Sequence, residues 1–347
     1  DPGLTADGLS EEDSASQTIN ITAINDTPDV TAPGSAYTVD EQSNLSIEGT
    51  GFSVTDVDAA SGIMNATITT GEGAITIAAG DSGVTITGGN GTAAVGLTGT
   101  LAQINSLLTA ASTGTITYYN GSDTPSASTT ITVTVNDGGN TGDDPGLTAD
   151  GLSEEDSASQ TINITAINDT PDVVAPGSAY TVDEQSNLSI EGTGFSVTDV
   201  DAASGIMNAT ITAGEGAITV VAGDSGVAIT GGNGTAAVTL TGTLAQIDSL
   251  LSAAGTGTIT YNNGSNTPSA STNITVTVND GGNTGDDPGL TADGLSEEDA
   301  ASQTINISAV NDNPTNAGSL PVEITITEDV PGNVDLSAID FSDVDAG

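Results

Sequence analysis

The sequence predicts an all-β protein made of tandem antiparallel β-sandwich domains, each with one short helix. Three observations lead to this prediction: a long and nearly exact internal repeat, apolar residues that alternate with polar ones in short runs, and Gly-rich breaks between those runs. Alternation with a period of two is typical of strands that bury one face. The repeat decides how many sandwiches there are.

The repeat has the length of a whole domain. The string DPGLTADGLSEED begins at Asp1, Asp144 and Asp287, which gives a period of 143 residues. Residues 1–143 and 144–286 are identical at 131 of 143 positions. A period of this size is too long for a solenoid unit and matches an independent domain. The chain is therefore predicted to be a row of domains, each with its own core.

Domain boundaries are predicted where proline and acidic residues follow a strand-like run, first at residues 24–28. The resulting segments are the C-terminal strand region of a preceding repeat (1–26), two β-sandwich repeats (27–169 and 170–312) and the N-terminal part of a further repeat (313–347). We expect the sequence to be a window of a longer protein. The alternative is that the end segments complement each other between molecules, as a donated strand does.

Strands are predicted in runs rich in Thr, Val and Ile, which suit a half-buried pleated surface. QTINITA at 17–23 and TTITVTV at 129–135 alternate strictly. Further candidate strands are AYTVDE, NATITT, AITIAA, GVTITG, AAVGLTG and GTITYYN. The Gly-rich stretch at 88–91 separates two of them and is typical of a hairpin turn.

One segment has helical spacing instead. GTLAQINSLLTAA places Leu101, Ile104, Leu107 and Leu108 on one helical face, with Thr100 as the N-cap. A short helix covering one end or edge of the sandwich is expected. Only 2% of the residues are aromatic, so the core is expected to be light and to benefit from bound ions.

The composition excludes most kinds of chemistry. The chain has 47 Asp and Glu residues, no Lys, Arg, His or Cys, and a formal charge of −47. It therefore lacks the usual general bases, thiol nucleophiles and Schiff-base amines. Nucleic acid and anionic membrane surfaces would be repelled, and no segment is apolar enough for membrane insertion. A two-carboxylate glycoside hydrolase is the one enzyme class left open, and we predict that the chain is not an enzyme.

The oxygen-only ligand set suits Ca²⁺, whereas zinc and copper prefer thiolate and imidazole. Solubility or adaptation to salt is the alternative explanation for the bulk of the carboxylates. Three acidic features nevertheless occur in the same order in each repeat: a boundary pair, a pair at the end of the first strand, and a D-x-D motif. They are Asn25-Asp26, Asn168-Asp169 and Asn311-Asp312; Asp40-Glu41, Asp183-Glu184 and Glu328-Asp329; and Asp56-Val57-Asp58, Asp199-Val200-Asp201 and Asp343-Val344-Asp345.

These features predict a calcium site at each domain boundary. In an extended strand, D-x-D places both carboxylates on one face, where they repel each other unless a cation lies between them. Calcium needs about six to eight oxygens, and a boundary can collect them from both domains. The ion would then fix the angle between neighbouring repeats. The alternative is that these residues are solvated turn residues.

A second candidate site lies in the loop that begins at Asn136-Asp137 and is repeated from Asn279-Asp280. It begins like an EF-hand loop but lacks the Glu that would close one, so a solvated hairpin is the alternative. The acidic turn Glu11-Glu12-Asp13 is expected to be merely exposed.

Four phrases carry a family resemblance: SVTDVDA (53–59), TGTLAQINSLL (98–108), TVNDGGNTG (134–142) and NITAIND (20–26). The pattern resembles the cadherin-like repeats of giant bacterial adhesins of the RTX type. The boundary pair, the first-strand Glu and the D-x-D resemble the calcium motifs of cadherin repeats. The resemblance implies immunoglobulin- or cadherin-like sandwiches that bind calcium outside the cell and hold a distal adhesive domain away from it. The chain departs from the pattern in lacking a complete D-x-N-D-N linker, to which 311–313 comes nearest, and the glycine-rich RTX nonapeptides.

The expected function is a calcium-rigidified extender of a secreted bacterial surface adhesin, or a subunit of an extracellular fibre. Its partners would be the neighbouring repeats of the same chain, with lateral or end-to-end self-assembly as a further expectation. The alternatives are a module that binds glycan, protein or ice, and a fibre subunit assembled by strand donation. Five Tyr and three Phe offer few of the aromatic platforms that glycan sites use.

Overall fold

The computed structural model describes residues 14–59, 61–139, 154–202, 204–282, 297–316, 318–319 and 323–345. The chain divides into two compact units, unit 1 (Asp1–Ile164) and unit 2 (Thr165–Gly347), and each is described by itself. The division into four segments at residues 26, 169 and 312 stays a prediction.

Unit 1 is built from short strands and one helix. They are β1 (Asp29–Thr31), β2 (Tyr37–Asp40), β3 (Asn44–Ser46), β4 (Ser53–Thr55), β5 (Ile63–Thr70), β6 (Ala74–Ala78), β7 (Thr85–Gly88), β8 (Ala94–Thr100), α1 (Leu101–Leu108), β9 (Thr115–Tyr119), β10 (Ser128–Asn136) and β11 (Glu155–Thr165). The alternating runs predicted β2 and β5 to β10, because apolar residues at every second position reach one face, whereas the three-residue strands β1, β3 and β4 were not predicted. In β10, for example, Ile131, Val133 and Val135 are buried while the intervening residues face outward.

The strands of unit 1 form a six-stranded sheet in the order β2-β11-β10-β5-β8-β7, a three-stranded sheet β3-β9-β6 and a two-stranded pair β1-β4. One core of mostly Val, Ile, Leu, Met and Ala side chains fills the unit, and Tyr37, Phe52 and Tyr118 are its aromatic members. The prediction of a β-sandwich with a mainly aliphatic core is confirmed.

The Gly-rich hairpin between β7 and β8 depends on Gly89. Its φ of +72° is rarely adopted by other residues, and a Cβ there would lie 1.9 Å from the carbonyl oxygen of Ala94. A side chain at this position cannot be accommodated without moving the backbone, so the turn requires glycine.

Helix α1 begins at the predicted N-cap. The backbone N–H of Gln103 donates to Thr100 Oγ1 at 3.3 Å, and Thr100 N–H donates to Gln103 Oε1 at 2.9 Å. This reciprocal pair is a capping box. Ile104, Leu107 and Leu108 are buried, as their spacing predicted.

Unit 2 repeats this architecture. Its elements are β12 (Asp172–Val174), β13 (Tyr180–Asp183), β14 (Asn187–Ser189), β15 (Ser196–Thr198), β16 (Met207–Ala213), β17 (Ala217–Val221), β18 (Ala228–Gly231), β19 (Ala237–Gly242), α2 (Leu244–Leu251), β20 (Thr258–Asn262), β21 (Ser271–Asn279), β22 (Glu298–Ser308), β23 (Thr315–Asn316) and β24 (Phe341–Ser342). The sheets are β13-β22-β21-β16-β19-β18, β14-β20-β17, β12-β15 and β23-β24.

One strand pair corrects the prediction of a purely antiparallel sandwich. β13 runs parallel to β22, with Tyr180 opposite Ile305. The two strands lie near the start and the end of the same predicted repeat. A chain that enters a domain at one pole and leaves it at the other runs in the same direction in both strands.

The candidate strand at 17–23 does not form among the described residues. Ile19 and Ile21 are 81% and 88% exposed, whereas their copies Ile162 and Ile164 in β11 are 0% and 6% exposed. The copy in β11 pairs with β10 over nine residues, from Ser128 opposite Asn163 to Asn136 opposite Glu155. The apolar alternation is the same in both places, so pairing with neighbouring strands decides whether it becomes a strand.

None of the described helices is long and apolar enough to cross a membrane.

Candidate metal centre

The D-x-D motif lies in a turn, which corrects the expectation that it forms part of a strand. β4 ends at Thr55, one residue before Asp56. Asp56 Oδ1 accepts hydrogen bonds from the backbone N–H of Asp58 at 3.1 Å and of Ala59 at 3.0 Å. A short acidic side chain bonds its own backbone in this way more readily in a turn than in a ladder, where the N–H groups pair with the next strand.

This turn brings both carboxylates of the motif to Asp137, which follows β10. Ligand atoms of Asp56, Asp58 and Asp137 all lie within 4.8 Å of one another, and we name this set group 1. Asp137 is 1% exposed. The loop predicted as a second site therefore contributes its Asp to the same place as the D-x-D, and its residues 140–144 lie outside the described residues.

The boundary pair closes group 1 from another side. Asn25 Nδ2 donates to Asp137 Oδ2 at 3.1 Å, and the backbone N–H of Asp26 donates to Asp58 Oδ2 at 3.1 Å. Residues more than a hundred positions apart in the chain thus meet at one point.

Group 2 is the copy in unit 2 and consists of Asp199, Asp201 and Asp280. Asn168 Nδ2 donates to Asp280 Oδ2 at 3.0 Å, and the backbone N–H of Asp169 donates to Asp201 Oδ2 at 3.1 Å. The arrangement of group 1 is therefore reproduced contact by contact.

Group 3 is of a different kind and joins Glu184, Asp312 and Asp345. Glu184, at the end of β13, is 3% exposed, and its Oε1 accepts from the backbone N–H of Val310 at 2.7 Å. The backbone N–H of Asp312 donates to Asp345 Oδ2. Group 3 thus connects the residue that follows β13 with the boundary pair Asn311-Asp312 and with the D-x-D of the segment after it.

The electrostatics of groups 1 and 2 are unfavourable without a cation. Burial, with contact and charge from Asp199 and charge from Asp169, raises the pKa of the Asp201 carboxyl from 3.8 to about 7. Burial also raises the pKa of Asp56, next to Asp58, and of Asp280. No Lys, Arg or His occurs in the chain to neutralise these carboxylates.

The donor atoms suit a hard cation. Asp56 Oδ2, Asp199 Oδ2, Glu184 Oε2 and Asp312 Oδ2 are buried and have no hydrogen-bond partner. Two oxygens that share a Ca²⁺ at about 2.3–2.6 Å are at most about 5 Å apart. The 4.8 Å limit within each group meets that requirement, so these residues would fit calcium.

Several predicted ligands lie outside the three groups. Asp40 and Asp183 are exposed at the ends of β2 and β13, while the adjacent Glu41 and Glu184 are buried. Asn136 and Asn279 use their Oδ1 atoms to accept from the N–H of Gly138 and Gly281 at 2.9 Å. Glu328 is exposed, and Asp343 Oδ1 accepts from the backbone N–H of Asp345 at 2.9 Å. Asn311 Nδ2 donates to the carbonyl oxygen of Asp312 at 2.9 Å.

Two copies of the acidic turn contain an Asp with a structural role that the sequence analysis did not predict. Glu11-Glu12-Asp13 lies outside the described residues, but its copies are described. Asp156 Oδ2 accepts from the backbone N–H of Val30 at 2.7 Å, and Asp299 Oδ2 from that of Val173 at 2.8 Å. The signal was available, because Asp156 shares the inward register of Ala158 and Ile162 in β11.

The chain was compared with protein families, curated proteins and solved structures. No family model and no curated protein matches the chain. A protocadherin gammaB7 EC3-6 cis-dimer structure is 14% identical over 93% of this chain and 63% of its own, with a TM-score of 0.33. Mouse cadherin-23 EC22-24 is 15% identical over 84% and 70%, with a TM-score of 0.30. The human desmocollin-1 ectodomain is 11% identical over 84% and 43%, with a TM-score of 0.25.

The chain spans less than two thirds of the length of the first and third of these structures. The all-β sandwich architecture follows from the strands and cores described above.

Proposed function

We propose that the chain is a calcium-rigidified structural extender of an extracellular adhesin or fibre. The observation that carries the proposal is group 3, in which Glu184 and Asp312 of one predicted repeat meet Asp345 of the following segment. A cation held by these three carboxylates would cross-link the two segments, because each contributes ligands that the other lacks. The cation would also neutralise the repulsion among the three carboxylates. The boundary would then bend less, as the role of a spacer requires.

Calcium is the proposed ion because every available donor is an oxygen. Asp56, Asp58 and Asp137 would hold it in group 1, with Asp199, Asp201 and Asp280 in group 2. The ion would supply charge neutralisation and cross-linking. A bacterial surface location is proposed from the resemblance of 53–59, 98–108 and 134–142 to RTX-type adhesin repeats.

The test is small-angle scattering of the full chain at low protein concentration, with millimolar calcium and again with chelator. We expect a narrower and longer distribution of interatomic distances with calcium, since fixed boundaries restrict bending. Magnesium is the control. Mg²⁺ is smaller than Ca²⁺ and requires a nearly ideal octahedral shell, so it should bind less well to the clustered carboxylates of groups 1 to 3. Identical curves with calcium and chelator would contradict the proposal and leave solubility as the role of the carboxylates.

A further inference from the structure

The outward face of the six-stranded sheet carries hydroxyl groups and has no charged residue at its centre. In unit 1 we name it the hydroxyl face and define it by Thr67, Thr69, Thr132, Thr134, Ser157 and Ser159. These residues share one face because Thr134 lies opposite both Thr67 and Ser157, and Thr132 opposite both Thr69 and Ser159. The other face of the same strands is buried in the core.

Charge is confined to the margin of this face. Along β5, β8, β10 and β11, the one acidic residue that points outward is Glu155, at the first position of its strand. Asp156, the other acid in these strands, points inward to the N–H of Val30. In a chain of formal charge −47, the centre of the largest sheet is thus uncharged.

Unit 2 carries the same face. Thr210 and Thr212 in β16 lie opposite Thr277 and Thr275 in β21. Thr275 Oγ1 lies 2.7 Å from Ser302 Oγ, as Thr132 Oγ1 lies 2.8 Å from Ser159 Oγ in unit 1. Outward positions that differ between the units stay uncharged: Gly96 corresponds to Thr239, Thr130 to Asn273 and Ser157 to Ala300.

We propose that the hydroxyl face is a docking surface for the same face of a second copy of this chain. A two-fold contact places one patch against itself, so the patch must be self-complementary. Hydroxyl groups meet this condition because each can donate and accept a hydrogen bond, whereas carboxylates facing their own copies repel. The two chains would thus meet side by side through their sheet faces. This contact does not depend on the proposed calcium sites.

The size of the face indicates a weak contact. β10 and β11 span 9 and 11 residues, or about 30 Å at about 3.4 Å per residue, and four strands are about 15–20 Å wide. The area is on the order of 500 Å² per copy, which is at the low end of specific interfaces. Since each chain carries two such faces, association would gain from multivalency when both engage.

A glycan partner is less well supported by the surface. Sugar sites usually combine hydrogen bonds with an aromatic platform, and no outward residue of the hydroxyl face is aromatic. Tyr119, which is 42% exposed, belongs to the three-stranded sheet instead.

The test is sedimentation equilibrium of the full chain in calcium, from micromolar to near-millimolar concentration, at low and at high sodium chloride. The weight-average mass should rise from 33.7 kDa toward twice that value, and rise further at high salt because repulsion between the acidic margins is screened. The disrupting variant carries Thr67→Glu, Thr132→Glu, Thr210→Glu and Thr275→Glu. It should stay monomeric.

The matched control adds the same charge to the outward face of the three-stranded sheets, through Thr76→Glu, Thr117→Glu, Thr219→Glu and Thr260→Glu. These residues face outward in β6, β9, β17 and β20. The control should still associate, and melting curves would show that both variants are folded. Equal loss of association in both variants would overturn the proposal, since added charge alone would explain it.

A wild-type chain that stays monomeric at every concentration and salt level would overturn it as well. If that monomer were retained on a neutral polysaccharide matrix, the face would be assigned to glycan binding. Because the calcium experiment uses dilute protein, failure of this proposal and failure of the extender proposal are separate results.

Discussion

The side-chain amide of Asn105 pairs with both backbone groups of Val54. Val54 N–H donates to Asn105 Oδ1 at 2.9 Å, and Asn105 Nδ2 donates to the Val54 carbonyl oxygen at 2.7 Å. Helix α1 thereby holds β4, the strand that leads into Asp56. In unit 2 the equivalent residue is Asp248, which accepts from Val197 N–H at 3.3 Å but has no N–H to donate.

This difference predicts opposite effects of two reciprocal substitutions. Asn105→Asp should destabilise unit 1 by about 1 kcal/mol or more, because it removes a hydrogen bond and leaves the buried Val54 carbonyl without its donor. Asp248→Asn should stabilise unit 2 by about 1 kcal/mol. Calorimetry of both variants in calcium checks this, and shifts in the same direction would contradict it.

Calcium should raise the melting temperature through groups 1 and 2. An ion present at about 100 times its dissociation constant stabilises the folded state by about 2.7 kcal/mol. Asp56→Asn combined with Asp199→Asn should abolish most of this increase, because both D-x-D turns lose a ligand charge. The control is Asp29→Asn with Asp172→Asn, at exposed positions in β1 and β12. An equal loss in the control would mean that calcium acts through overall charge.

Two adjacent acids should differ in their effect on the boundary. Glu184→Gln should reduce the calcium-dependent change in scattering, because Glu184 is buried in group 3. Asp183→Asn should leave that change intact, because Asp183 is exposed and outside the group. If the Asp183 variant lost the response and the Glu184 variant kept it, group 3 would not be the ion site.

Acidification should stabilise the calcium-free protein. The pKa of Asp201 is about 7 in the folded state against 3.8 ordinarily, so the folded state binds more protons between those values. Stability should therefore fall as pH rises through this window and increase from pH 8 down to pH 5. Melting curves in chelator across this range measure the effect.

Relief of general repulsion at a charge of −47 acts in the same direction, so a variant must separate the two. Asp201→Asn should shrink the gain on acidification, whereas Asp172→Asn, at an exposed position in β12, should not. An undiminished gain in the Asp201 variant would assign the whole effect to overall charge.

Local patterns in the sequence were enough to predict the repeat, most strands and the helix. Strands are indicated by alternating apolar and polar residues, and helices by apolar residues at helical spacing after an N-cap. Both signals lie within a short run of consecutive residues. The N-cap at Thr100 and the buried face of β10 are therefore predicted correctly. The position of D-x-D was predicted wrongly as strand, because the turn is made by hydrogen bonds from Asp56 to Asp58 and Ala59, which alternation does not reveal.

The sequence by itself determined that this protein has repeated β domains, many carboxylate side chains and no cationic side chain to pair with them. The tertiary structure alone decided that Asp137 joins Asp56 and Asp58, because only the folded sheets bring β10 and β4 to one end. It also decided the state of one segment that occurs twice. QTINIT is exposed at 17–22 and becomes part of a buried strand at 160–165, since a strand exists only where neighbouring strands satisfy its backbone and cover its apolar side.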